Sequence, residues 1–113
     1  MHELAIVENI IEIIVPKAKS AGAKKIVGIN MKIGELSGVI PKAITDCFET
    51  ASVGTICEGA KFSFEAVPAK IHCNKCGYDG PVDRKKAVCP GCGSACFSIT
   101  GGRDYFVESI EAE

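Results

Sequence analysis

No run of apolar residues in this sequence approaches the ~20 that span a bilayer. The most apolar stretch, residues 10–15, is interrupted by Glu12. A basic segment ahead of an apolar one is missing too. Glu3, Glu8 and Glu12 stand where a secretory signal would place it, so none is expected. Neither sign of charge dominates: 14 acids face 13 bases, for a net charge of −1. There is accordingly no global field to draw the chain to nucleic acid or to an anionic membrane. Histidine is scarce, with only His2 and His72. No Ser-His-Asp set, phosphate-binding glycine loop or paired-acid constellation is evident, which argues against an enzyme. These absences point to a cytoplasmic binding protein.

What is present is a globular composition. The 113 residues are 47% hydrophobic and 24% charged. That suits one domain, or a domain with a small appendage, and excludes disorder along the whole chain.

Periodicity orders the elements. Leu4, Val7, Ile11 and Ile14 recur at helical spacing, widened by Ile6, Ile10 and Ile13. Pro16 predicts a kink, since it lacks an amide donor, and Gly22 a stop. Over residues 25–34, Val27, Ile29, Met31 and Ile33 alternate onto one face of a strand. Pro41 fits the first turn of a second helix with a stripe of Ile44, Cys47, Phe48 and Ala51. Residues 61–67 and 104–110 read as two more strands. The fold class is therefore α+β: two helices packed on a small three-stranded sheet. A separate module is inserted before the last strand. Residues 1–69 with 101–113 form the main domain, and residues 70–100 the insertion.

The insertion has a composition of its own. Residues 70–92 hold five bases and two acids, and five of the seven cysteines lie between positions 73 and 96. An odd count in a reducing compartment argues against a disulfide framework. Cys73-Asn-Lys-Cys76 and Cys89-Pro-Gly-Cys92 are two CxxC knuckles twelve residues apart. Two intervening residues let a tight turn aim both sulfurs at one ion, and backbone amides in such turns can donate to the thiolates. Four thiolates in a tetrahedron leave no open position, as in a structural Zn(II) site. An iron site has the same ligands. Gly77 and Gly93 follow the knuckles where a turn needs positive φ. Cys96 and His72 stand close in sequence, as a spare thiol and a polar edge residue, or as substitute metal contacts. The local bases offset the −2 charge of a four-thiolate zinc site. They also leave open a zinc-ribbon nucleic-acid or transcription adaptor, although Tyr78 is the one aromatic nearby and gives no stacking platform.

The first three residues, Met1-His2-Glu3, carry a second constellation. The Met1 amine, the His2 amide and the His2 imidazole would form fused chelate rings suited to square-planar or tetragonal Ni(II) or Cu(II). One position would remain for Glu3, water or a partner's ligand. The alternative is a frayed terminus whose Glu3 favours the helix dipole.

Taken together, MHE at 1–3, GAKKIVGINMKIGELSGV at 22–39, EGAKF at 58–62, the paired knuckles and GGRDYFVESIEAE at 101–113 resemble the HypA family along essentially the whole chain. Those proteins are nickel metallochaperones of [NiFe]-hydrogenase maturation. The resemblance implies Ni(II) as cargo on His2, with Met1 and Glu3, and structural Zn(II) on Cys73, Cys76, Cys89 and Cys92. It implies as partners a HypB-type GTPase, the [NiFe]-hydrogenase large subunit and, in some organisms, the urease maturation proteins. It does not clearly assign Cys96 or His72.

Overall fold

The computed structural model describes residues 3–83 and 85–113. Helix α1 spans Glu3–Ser20 and strand β1 Ile26–Gly34. Helix α2 (Pro41–Ala51) and strand β2 (Lys61–Val67) follow. Three short strands come next: β3 (Lys70–Cys73), β4 (Asp79–Pro81) and β5 (Phe97–Gly101). Strand β6, Tyr105–Ala112, ends the order. The strands form two three-stranded sheets, β2-β1-β6 and β4-β3-β5. The α+β class holds, as do both helices and the three expected strands. The second sheet is an addition, since strands of three to five residues are too short for a period-2 pattern to register.

The chain divides into two compact units. One comprises residues as far as Lys32, Val39–Glu65 and Phe106–Glu113. The other comprises Ile33–Gly38 and Ala66–Tyr105.

In the first unit, α1 buries Ile6, Val7, Ile10, Ile14 and Ala18. The stripe is rotated from the expected one: Leu4 and Ile13 are exposed and Ile11 is only half-buried. Eight large aliphatic residues crowd this helix, so periodicity alone admits more than one face, and packing selects the one that is buried. The helix also runs on through exposed Pro16 to Ser20. Its end is set by Gly22 at φ 83°, with Ala23 N–H donating to the Ala18 carbonyl at 2.9 Å and Gly22 N–H to that of Lys19 at 3.0 Å. That paired arrangement satisfies carbonyls the helix would otherwise leave open, and it needs a residue tolerant of positive φ.

Central strand β1 buries Ile29, Met31 and Ile33 as the alternation requires, and Ile26 as well. Gly28 is buried because the Glu111 side chain lies over it, with Oε2 only 2.7 Å from where a Cβ would stand. Next along that face, Lys32 meets Glu108 at 2.8 Å and Glu65 at 3.2 Å, tying both outer strands to the central one. Hydrogen bonds first to Glu108 and then to Glu65 hold its ammonium above the usual lysine range. Helix α2 begins with Pro41 at its first turn, where no amide donor is needed. It buries Ile44 and Phe48, and Phe48 meets Phe62 of β2 edge to face at 4.9 Å. Cys47 is half-buried, and Cys57, in the turns that follow α2, is fully buried.

In the second unit, β3 is central and antiparallel to both neighbours. Ile71, Cys73 and Cys89 form its small core, with Tyr78, Val82 and Phe97 packed against them. The turn after β1 belongs here because Gly34 N–H bonds to the Asp104 carbonyl at 2.8 Å, Glu35 N–H to that of Val67 at 2.8 Å and Leu36 N–H to that of Gly102 at 2.7 Å. A Cβ on Gly34 would collide with the backbone of Gly102 and Asp104.

Truncating Ile44, which is fully buried, should lower stability by about 2–5 kcal/mol. Chemical denaturation of Ile44→Ala should show an earlier midpoint, whereas Ile13→Ala, at an exposed position, should stay close to the parent chain.

Candidate metal centre

The two knuckles are built alike. In the first, Cys73 N–H donates to the Tyr78 carbonyl at 2.8 Å, and Gly77 N–H returns to the Cys73 carbonyl at 3.1 Å. In the second, Cys89 N–H donates to the Ser94 carbonyl at 2.8 Å, and Gly93 N–H to the Cys89 carbonyl at 2.8 Å. Gly77 and Gly93 have φ of 78° and 75°, which L side chains rarely adopt. Each turn is therefore closed by backbone bonds. Each also presents one buried sulfur, Cys73 or Cys89, and one exposed sulfur, Cys76 or Cys92.

The four Sγ atoms all lie within 4.8 Å of one another. Cys73 and Cys92 are 3.6 Å apart, as are Cys76 and Cys89. A disulfide would need about 2.05 Å. A tetrahedron of sulfurs about 2.3 Å from a central ion has edges of about 3.8 Å. The spacing therefore fits ligands around a metal rather than bonded pairs. Among the described residues, this is the group of potential ligands compact enough to hold an ion.

The electrostatics agree. Backbone amides of Cys76 and then Lys75 favour the Cys73 thiolate and lower its pKa to about 6. Cys76 receives the Tyr78 amide, which also favours ionisation. Desolvation and its contacts with Cys89, Cys73 and Cys92 outweigh that and push it up to about 12. The Ser94 amide likewise favours the Cys92 thiolate, but its contact with Cys73 and desolvation win and raise its pKa. Cys73 is thus shifted toward its thiolate while Cys76 and Cys92 are shifted away from theirs, and a divalent cation at the centre would favour the thiolate form. Gly91 N–H also donates to the Cys89 sulfur at 3.3 Å, the amide-to-sulfur bond expected of such a turn.

Gly91 is a site residue that the spacing argument passed over. A Cβ there would stand 3.3 Å from the Cys76 sulfur and 3.6 Å from that of Cys89. The Cys-Pro-Gly-Cys string contains it, but its closeness to both knuckles emerges only once they face each other.

His72 and Cys96 lie outside the four-sulfur group. His72 sits opposite Asp79 in the β3–β4 register, and its Nδ1 is 2.9 Å from Asp79 Oδ1. Cys96 is exposed, its N–H donating to Ser94 Oγ at 3.0 Å. Of the amino-terminal triplet, Glu3 opens α1 and is half-buried, while Met1 and His2 lie outside the described residues.

A two-helix α+β unit with a knuckle pair of four converging thiols defines a small metal-binding protein. The chain belongs to the HypA family: the family model for "Hydrogenase/urease nickel incorporation, metallochaperone, hypA" matches residues 1–112. This is a family of maturation factors, not enzymes. A hydrogenase maturation factor HypA of Dehalococcoides mccartyi is 40% identical over 113 residues, covering 100% of this chain and 95% of that protein. One from Geobacter metallireducens is 37% identical, with 100% of both chains covered. The solution structure of the Ni metallochaperone HypA from Helicobacter pylori matches 99% of this chain and 97% of its own, with a TM-score of 0.69 and 26% identity. A second HypA solution structure gives a TM-score of 0.74 and 27% identity, covering 100% of this chain and 97% of that one.

Gly91→Ala should weaken metal retention, and Cys76→Ala should weaken it more, because the first crowds the Cys76 sulfur and the second deletes it. Elemental analysis after dialysis against a chelator of graded strength should give the order parent, Gly91→Ala, Cys76→Ala. Bound metal should be lost as pH falls, since protons compete for thiolates.

Proposed function

We propose that this chain carries Ni(II) at its amino terminus and passes it, with a HypB-type GTPase, to the [NiFe]-hydrogenase large subunit. Zn(II) on Cys73, Cys76, Cys89 and Cys92 keeps the smaller unit folded. The observation that carries this reading is the family match along the whole chain, which includes the Met-His-Glu start. The family description names both hydrogenase and urease, so urease maturation proteins are further candidate recipients.

The division of labour follows from ligand chemistry. Four thiolates enclose an ion and leave no position for exchange, so they suit a resident metal. An amine, an amide and an imidazole leave a coordination position open, so they suit a cargo that must be released. Glu3, at the first position of α1, is near enough in sequence to supply a carboxylate or to offset charge. Neither site offers an open zinc for catalysis, in keeping with a delivery role.

His2→Ala should abolish tight Ni(II) binding while zinc content and helix signal stay unchanged, and Glu3→Gln should have a smaller effect. A residue added before Met1 should also weaken binding by turning the amine into a peptide amide. Nickel titration of untagged protein, followed by calorimetry and absorption, tests this; tight binding by His2→Ala with an unaltered spectrum would refute the amino-terminal site. Binding should decline below about pH 6.5, because the imidazole and the amine gain protons there.

Removing zinc should loosen residues 70–100 while the helix-on-sheet unit keeps its amide protection. The smaller unit has a core of few large apolar side chains, so metal binding supplies most of its order. Hydrogen exchange of zinc-stripped protein measures this; equal loss of protection in both units would mean that they fold as one.

A further inference from the structure

The first unit leaves an open groove of about 660 Å³ between the start of α1 and the middle of α2. Its walls include Leu4, Ala5, Ala43 and the half-buried Cys47. Leu4 is 53% exposed, on a helix whose core face is already supplied by Ile6, Val7 and Ile10. The small side chains of Ala5 and Ala43 keep the groove open. Folding of the unit itself therefore gives no account of why a leucine faces water here.

Three carboxylates line the same groove: Glu3 and Glu8 from α1 and Asp46 from α2. Among the described residues one base answers them, Lys42, which pairs with Asp46 at 2.8 Å. These four described side chains sum to a charge of −2. That sign repels nucleic acid and anionic lipid, and it attracts a cationic partner. Both walls are helices, so there is no strand edge to extend. The lining side chains suit the mode in which an amphipathic helix lays its apolar side in a groove.

We propose that this groove docks a basic amphipathic helix of a partner protein, its apolar residues against Leu4, Ala5 and Ala43 and its lysines or arginines against Glu8 and Asp46. Glu3 borders both this groove and the proposed nickel site, but the docking contacts named here, Leu4, Ala5, Ala43, Glu8 and Asp46, are not nickel ligands in that reading. A failure here would leave the nickel reading standing, and a failure of that reading would leave this one.

The test uses the full-length, zinc-loaded, nickel-free protein. The probe is a labelled amphipathic peptide about four turns long, leucine on one face and lysine on its flanks, with a twin carrying glutamate for every lysine. The basic peptide should bind saturably by fluorescence anisotropy, and affinity should fall with added salt. Amide shifts should map to residues 3–8 and 43–47. The double variant Glu8→Lys, Asp46→Lys should bind at least about tenfold more weakly. Leu4→Ser should also weaken binding without altering the helix signal, which separates the apolar contribution from the charge. Equal binding of the acidic twin, undiminished binding by the variants, shifts confined to residues 70–101, or no binding at all would overturn the proposal. Self-association of the parent that the double variant abolishes would overturn it as well, by making a second copy the occupant.

Discussion

Four sulfur atoms cannot share a space 4.8 Å across without something to reconcile them. Thiols this close compete, so that ionising one disfavours ionising another. The opposing shifts at Cys73, down to about 6, and Cys76, up to about 12, are that conflict expressed in two residues. The backbone brings the sulfurs together regardless, through two turns closed by matching hydrogen bonds and turned by glycines at positive φ. So small a core, with Ile71 and two of the cysteines at its centre, gives the unit little other source of order. Its stability and its metal are then one subject rather than two.

The first unit rests on conventional packing. Its interior of Val7, Ile26, Ile29, Met31, Ile44 and Phe48 needs no cofactor. Polar side chains tie its strands on the other face, where Lys32 bridges Glu65 and Glu108. This helix-bearing unit also presents the acidic groove and begins with the Glu3 end of α1.

On the proposed function, a closed thiolate site and an exchangeable nitrogen site in one small chain separate two tasks that a single site performs badly. A metal that holds a fold together must not leave, and a metal in transit must. Donor chemistry enforces the difference, because soft, anionic sulfurs enclose the first ion while an open coordination position lets the second go.

Local chemistry was fully legible in the sequence. The paired CxxC spacing, the proline opening α2, the glycine ending α1 and the alternation of β1 each follow from rules that act over a few residues, and they need no knowledge of distant parts. The metal-centre sulfurs could be named for the same reason, since each knuckle is a local turn. The face of α1 was not legible: with Leu4, Ile11 and Ile13 as apolar as Ile6, Ile10 and Ile14, only packing against α2 and the sheet decides which are buried. The β4-β3-β5 sheet was equally hidden, because strands this short are held by partners far along the chain rather than by their own pattern. Gly91 beside two sulfurs and an acidic groove walled by two helices belong to the same class. Residues near in sequence interact by covalent geometry, which the sequence states directly. Residues near only in space interact after the chain has paid its conformational entropy, and tertiary structure alone determines which of them meet.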